Sequence, residues 1–146
     1  MTRFTFATPV RFSDIDHAGI VYYPRFFHLF HVAFEELWRA RLGAYAYREL
    51  LDRDHVGFPA VRAACEFRSP LKFGDTAEIE LWITRLGGKS ISFRYNVYRA
   101  DSPRVLAAEG EVVTAVVDLA RFAAIAIPDR VVALLADLVE PAAPPA

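Results

Sequence analysis

The stretch Asp14-Ile15-Asp16-His17-Ala18-Gly19 gathers two carboxylates, an imidazole and a glycine into one short segment. Pro24 follows closely and opens a run of apolar residues at helical spacing, so the segment stands directly before the N-terminus of a helix that must be buried. A helix end presents unpaired N–H groups and a partial positive charge. A carbonyl polarised there could be attacked by a nearby carboxylate, or by a water that the carboxylate activates. Acyl transfer needs that pairing of an oxyanion site with a base or nucleophile. Gly19 lets backbone approach a ligand with no side chain in the way. Asp also caps turns, and spacing alone leaves that simpler role open for Asp14 and Asp16. A calcium loop does not fit: Ala18 stands where a further acidic ligand is needed, and Arg25 where the closing Glu belongs. An aspartyl-phosphate enzyme would need an apolar strand just before Asp14 and a larger parallel sheet than this chain can build.

Other chemistry-bearing residues are more scattered. His28, His31 and Glu35 share one flank of the long helix, but no Cys or further His completes a metal set, so no metal is expected and hydrogen bonding at the border of the apolar stripe is the simpler role. Cys65 lies in a strand pattern with no His nearby in sequence and reads as a packing cysteine. Lys89 and Ser90 follow Gly87-Gly88 at a hairpin tip, where they could hold a phosphate or simply be solvated.

The elements that must position these groups follow from periodicity. Residues 4–12, rich in Phe, Thr and Val, read as a first strand. Pro24 suits the first position of a helix, and Phe26, Phe27, Phe30, Ala33, Phe34, Leu37 and Trp38 form one apolar stripe, with Arg25, Glu36 and Arg39 on the opposite side. Running to about Ala40, with Gly43 as the stop, this helix is roughly 25 Å long. A short second helix is expected over residues 44–51. Residues 59–67 read as a strand ended by Ser69-Pro70. Ile79, Leu81 and Ile83 alternate with Glu78, Glu80 and Trp82; Ile91, Phe93, Tyr95 and Val97 alternate with Ser92, Arg94, Asn96 and Tyr98. Gly87-Gly88 joins these as a hairpin, Asp101-Ser102-Pro103 makes the next turn, and residues 105–118 read as one long strand. Pro128 opens a short amphipathic helix through Val131, Leu134, Leu135 and Leu138. One helix cannot cover both faces of such a sheet, so the expected class is α+β, an antiparallel sheet wrapped around one long central helix, with the far face or an edge left for self-association.

Composition agrees. With 146 residues, 54% hydrophobic and 24% charged, the chain makes one folded domain over residues 1–140, with a flexible Pro/Ala tail at 141–146. A net charge of -1 gives no reason to expect nucleic acid. There is no membrane-length apolar segment, no signal-like run over residues 1–10, and a single cysteine; together these point to the cytoplasm.

Residues 13–24, Ser-Asp-Ile-Asp-His-Ala-Gly-Ile-Val-Tyr-Tyr-Pro, closely resemble the signature of the 4-hydroxybenzoyl-CoA thioesterase family of hotdog proteins. The likeness extends through the Phe-rich helix, Ser69-Pro70, Gly74-Asp75, Lys89-Ser90 and Ile127-Pro128. It implies hydrolysis of an aromatic or short acyl-CoA, with Asp16 as the essential carboxylate and the Tyr23 backbone N–H polarising the thioester carbonyl. Lys89 and Ser90 match a segment that the family uses near the nucleotide end of coenzyme A. By adjacency His17 would tune Asp16 or touch the substrate, with Gly19 giving backbone access, and Tyr22, Phe26 and Phe58, packing across subunits, would set the depth of the acyl pocket. No cofactor is implied beyond the coenzyme A of the substrate. The resemblance also implies homodimers, usually paired into tetramers, with the site at the subunit interface. Two departures are His17, where the 4-hydroxybenzoyl-CoA enzyme has Pro after the essential Asp, and Gly87-Gly88, where that enzyme has a basic run. A sister branch, the thioesterases of the Tol-Pal cluster, has His where this chain has Tyr23. The alternatives are an acyl-CoA-binding hotdog module without catalysis, and a hotdog dehydratase in which His17 or His55 would serve.

Overall fold

The computed structural model describes residues 2–101 and 103–142, so Met1, Ser102 of the expected turn, and residues 143–146 of the expected tail lie outside the described residues. The chain folds as a five-stranded antiparallel sheet curled against one long helix. The strands are β1 (Phe4–Pro9), β3 (Ala60–Phe67), β4 (Thr76–Leu86), β5 (Ser90–Arg99) and β6 (Val105–Ala115), in the spatial order β1-β4-β5-β6-β3. Short strands β2 (Val56–Gly57), β7 (Val117–Asp118) and β8 (Ala123–Ala124) form a second, small sheet. Helices are α1 (Arg25–Leu42), α2 (Ala46–Asp52) and α3 (Asp129–Leu135). This is the hotdog arrangement expected above.

The period-two pattern is realised directly. Ile79, Leu81 and Ile83 of β4 pair with Val97, Tyr95 and Phe93 of β5, and all six are buried on the concave face. Helix α1 lies on that face and buries Phe26, Leu29, Phe30, Ala33, Phe34, Leu37 and Trp38. The closest approach is at Gly110 of β6, where a Cβ would stand 2.3 Å from the Phe30 ring, so only glycine lets the helix settle this deeply. On the convex face Trp82 is covered by the Arg3 guanidinium, 3.9 Å from its ring centre.

Several boundaries differ from expectation for identifiable reasons. Strand β1 stops at Pro9, and residues Phe12–Asp14 form a 3₁₀ turn that leaves Phe12 exposed. Pro24 sits just outside α1 as its cap, and the helix runs to Leu42 before Gly43 ends it at φ 101°. The strand expected over residues 105–118 breaks at Val116. Its N–H donates to Lys89 O and its carbonyl accepts from Ile125 N–H, which diverts the chain into the small sheet. The apolar pattern continues through this break, so periodicity does not mark it. Among the described residues no helix is long and apolar enough to cross a membrane.

The two sheet edges are unlike each other. Beyond β1, the edge of β4 continues into the C-terminal segment: Val139 bridges Ile83, and Glu140 N–H donates to Ile83 O at 2.6 Å. Strand β3 forms the other edge, with no strand beyond it among the described residues.

Candidate active site

The loop between β1 and α1 is a miniature hairpin. Ile15 bridges Val21, Asp16 N–H donates to Ile20 O at 3.1 Å, and Gly19 N–H donates to Asp16 O at 3.0 Å. Gly19 takes φ 81°, a left-handed conformation that costs glycine nothing, and this closes the turn. Ile20 also bridges Lys72, and Val21 N–H donates to Leu71 O at 2.8 Å, so the loop is fastened to the segment before β4.

The two carboxylates divide their roles. Asp14 is buried; its Oδ2 accepts the Arg11 N–H at 2.8 Å and its Oδ1 accepts Arg25 Nε and Nη2 at 3.2 and 2.8 Å. Burial alone would push its pKa up, but the Arg11 N–H and the Arg25 guanidinium outweigh that and hold it below the ordinary carboxylate value. Arg25, expected on the polar side of the helix, is thus folded back to brace the loop. Asp16 is exposed at the turn, its Oδ1 accepting the Ala18 N–H at 2.8 Å. The turn-capping role left open by the sequence is therefore filled by both residues, and only Asp16 remains accessible to a reactant.

The helix tip lies just beyond. The N–H groups of Arg25, Phe26 and Phe27 already donate to Tyr22 O, Tyr23 O and Pro24 O, at 2.8, 3.2 and 3.2 Å. Pro24 has no N–H. Among the described residues the Tyr23 N–H donates to no carbonyl, which makes it the open donor at the positive end of α1. Tyr22 and Tyr23 are exposed and meet edge to face at 5.3 Å. Phe26 is buried below them, edge-on to Phe67 at 5.4 Å. Tyr23, Phe26 and Phe67 share a surface cavity of about 390 Å³ with Ile20 and Leu71.

A second cavity, of about 320 Å³, opens between α1 and the β3 side of the sheet; Phe27, Phe30, Phe34, Phe58 and Tyr95 line it, with His31 and Thr114. In the sequence Phe27, Phe30 and Phe34 read as the apolar stripe of the helix, Phe58 reads as a side chain that sets pocket depth, and Thr114 falls inside a strand pattern that does not single it out. His31 Nε2 is engaged with Glu35 Oε1 at 2.8 Å, the hydrogen-bonded role expected for that flank. His17 is exposed on the loop.

Asp16, His17, Gly19, Tyr22, Tyr23 and Phe26 therefore stand together around one helix tip. Lys89 and Ser90 do not join them within the chain. Strand β4 pairs its Thr76 end with Pro9, next to the loop, and the hairpin carrying Lys89 is at its other end. At about 3.3 Å per residue, the eleven residues of β4 put roughly 35 Å between the two groups. Cys65 is half-buried on β3, its thiol pushed up to about 11, first by burial and then by the charge of Glu66, which fits packing and not nucleophilic attack.

Comparison with known proteins matches this frame. The model of a family described as the thioesterase-like superfamily matches residues 10–135. A 1,4-dihydroxy-2-naphthoyl-CoA hydrolase from Synechococcus elongatus is 33% identical over 103 residues, covering 70% of this chain and 75% of that one. The acyl-CoA thioester hydrolase YbgC of Escherichia coli O157:H7 is 28% identical over 134 residues, 90% of this chain and 95% of its own. Among solved structures, a gentisyl-coenzyme A thioesterase superposes with a TM-score of 0.75 at 30% identity, covering 90% of this chain and 98% of that one.

Proposed function

This chain belongs to the thioesterase-like superfamily, and from that membership we propose that it hydrolyses aromatic acyl-CoA thioesters at the tip of α1, with Asp16 as the reacting carboxylate. The observation that carries the reading is the Tyr23 N–H, left without a carbonyl partner at the positive helix end beside a loop whose exposed carboxylate is Asp16. A thioester carbonyl accepting that N–H gains negative charge at its oxygen in the tetrahedral state, where the donor and the helix dipole stabilise it. Asp16 either attacks the carbonyl carbon, expelling the coenzyme A thiolate and leaving an anhydride that water cleaves, or removes a proton from the water that attacks. The thiolate is a good leaving group, so no strong general acid is needed. The Ala18 N–H on Oδ1 fixes the carboxylate's orientation. The preference for an aromatic acyl group rests on the aromatic walls of both cavities and on the relatives named for a 1,4-dihydroxy-2-naphthoyl-CoA and a gentisyl-coenzyme A.

The same reading takes the protein as a cytoplasmic homodimer, pairable into a tetramer, joined along the open edge of β3. A two-fold pairing centred on β3 sets Phe67 of one copy against the residue 60–62 end of the other. Ala60 neighbours Thr114 on β6, and Ala115 pairs with Ser90, so the Lys89-Ser90 corner lies at that same end. Across the two-fold, Lys89 and Ser90 of one copy approach the Tyr23 tip of the other, where the nucleotide of coenzyme A would extend.

Replacing Asp16 with Asn tests the reading. The Asn side chain keeps an oxygen for the Ala18 N–H, so the melting temperature should hold while kcat/KM on the best of a panel of acyl-CoA esters falls roughly 10²–10⁴-fold. Unchanged turnover would end the assignment. Single turnover in ¹⁸O-water separates the two routes, because only attack by Asp16 itself carries label into the protein.

A further inference from the structure

In the wall of the cavity between α1 and the β3 side of the sheet, the Thr114 hydroxyl is fully buried and has no hydrogen-bond partner among the described residues. The residue as a whole is 4% exposed. A buried hydroxyl left unpaired is costly, and a native structure keeps one where something else completes it. Among the described residues no group of the wall hydrogen-bonds to it. His31 is engaged with Glu35, Tyr95 contributes its ring, stacked on Phe30 at 4.7 Å, and the β3 side is lined by the small residues Ala60 and Ala63. A volume of about 320 Å³ between aromatic faces takes a one- or two-ring aryl group, and the unpaired hydroxyl calls for a polar substituent on that ring.

Thr114 lies far along the seam from the Tyr23 tip of its own chain. Tyr23 touches Phe67 at one end of β3, whereas Thr114 pairs with Ala60 at the other. A two-fold pairing of β3 edges reverses this, because Phe67 and Tyr23 of a second copy then come beside Ala60 and Thr114 of the first. We infer that Thr114 is a specificity-determining residue that hydrogen-bonds a ring hydroxyl of an aryl-CoA substrate, and that it does so for the site whose Asp16 belongs to the other subunit. The inference rests on the thioesterase reading above and adds to it the residue that reads the ring and the subunit it comes from.

The test compares benzoyl-CoA with 2-, 3- and 4-hydroxybenzoyl-CoA. The wild-type protein should favour one hydroxylated isomer, and Thr114→Val should lower that preference, as a ratio of kcat/KM values, roughly tenfold, the worth of one neutral hydrogen bond. Thr114→Ser, which keeps the hydroxyl, should retain most of it. A wild-type protein indifferent to every ring hydroxyl, or a preference equal in wild type and Thr114→Val, overturns the proposal. If none of the esters is hydrolysed, the thioesterase reading fails by itself. Calorimetric binding of the same intact esters then decides the role of Thr114: affinity about tenfold weaker in Thr114→Val for one hydroxylated isomer alone supports it, and equal affinities overturn it. A purified heterodimer of one Asp16→Asn chain and one Thr114→Val chain, carrying different tags, tests the subunit assignment. Its one intact Asp16 should work against an intact Thr114 and show the wild-type preference; loss of that preference would place both residues in the same chain's site and overturn the shared arrangement.

Discussion

Asp14 and Asp16 stand two positions apart and end in opposite surroundings, one buried against Arg25 and the Arg11 N–H, the other exposed at the turn. The difference predicts different defects. Asp14→Asn gives up the charge of a partly buried ion pair and should lower stability by about 1–3 kcal/mol at neutral pH. Because the folded-state pKa of Asp14 lies below its ordinary value of 3.8, the charged form is favoured by folding. Its contribution is complete above that value and is lost as pH falls through the lower folded one. Denaturant unfolding at several pH values should therefore show wild type and Asp14→Asn well separated near pH 7 and converging below 3.8. Curves that stay equally separated in acid would show that the charge is not what matters. Activity is the complementary readout, since Asp16→Asn should lose turnover while keeping the unfolding curve. The loop's chemical residues were legible because their types and spacing are local. Which carboxylate would be braced was not, because Arg25 is brought to Asp14 by the path of the loop and not by its place on the helix.

Helix α1 was legible almost whole, since its apolar stripe keeps period through Trp38 and a glycine closes it. What periodicity does not give is depth. The helix settles on β6 at Gly110, where a Cβ would fall 2.3 Å from the Phe30 ring, so Gly110→Ala must push helix and sheet apart. The expected cost is about 1–3 kcal/mol, the usual range for overpacking. Phe30→Leu should cost less in the Gly110→Ala background than alone, because the smaller side chain yields the space the new methyl needs. Thermal unfolding of the four proteins of this cycle measures the coupling, and strict additivity would mean the contact is not the constraint. The break of the expected final strand at Val116 was hidden for a related reason. Val116 and Val117 are both apolar and both buried, so the burial pattern runs on while the hydrogen bonds change sheets.

At the scale of the whole molecule, Tyr23 and Thr114 lie at opposite ends of the seam between α1 and β3, with Lys89 further from the loop still, and the proposed site unites them only by pairing two copies. No periodicity reveals that, since it depends on how one chain meets another. The strand edge supplies a direct test. Arg68 N–H donates to Ala107 O, next to the pairing of Phe67 with Ala108, and the alternation of an antiparallel ladder then turns the N–H of Ala63 away from β6, toward the open edge. Proline at position 63 removes that outward donor without breaking a hydrogen bond inside the sheet, and it blocks strand addition near the middle of β3. If the proposed pairing holds, wild type should sediment as a dimer and Ala63→Pro, at the same concentration, as a monomer. Its hydrolysis of aryl-CoA esters should fall at least tenfold although Asp16 and the Tyr23 N–H are untouched, because every site has lost the walls contributed by the second copy. A folded monomer with wild-type turnover would show that one chain completes its own site. A variant that stayed dimeric would move the interface away from β3 and take the cross-subunit role of Thr114 with it.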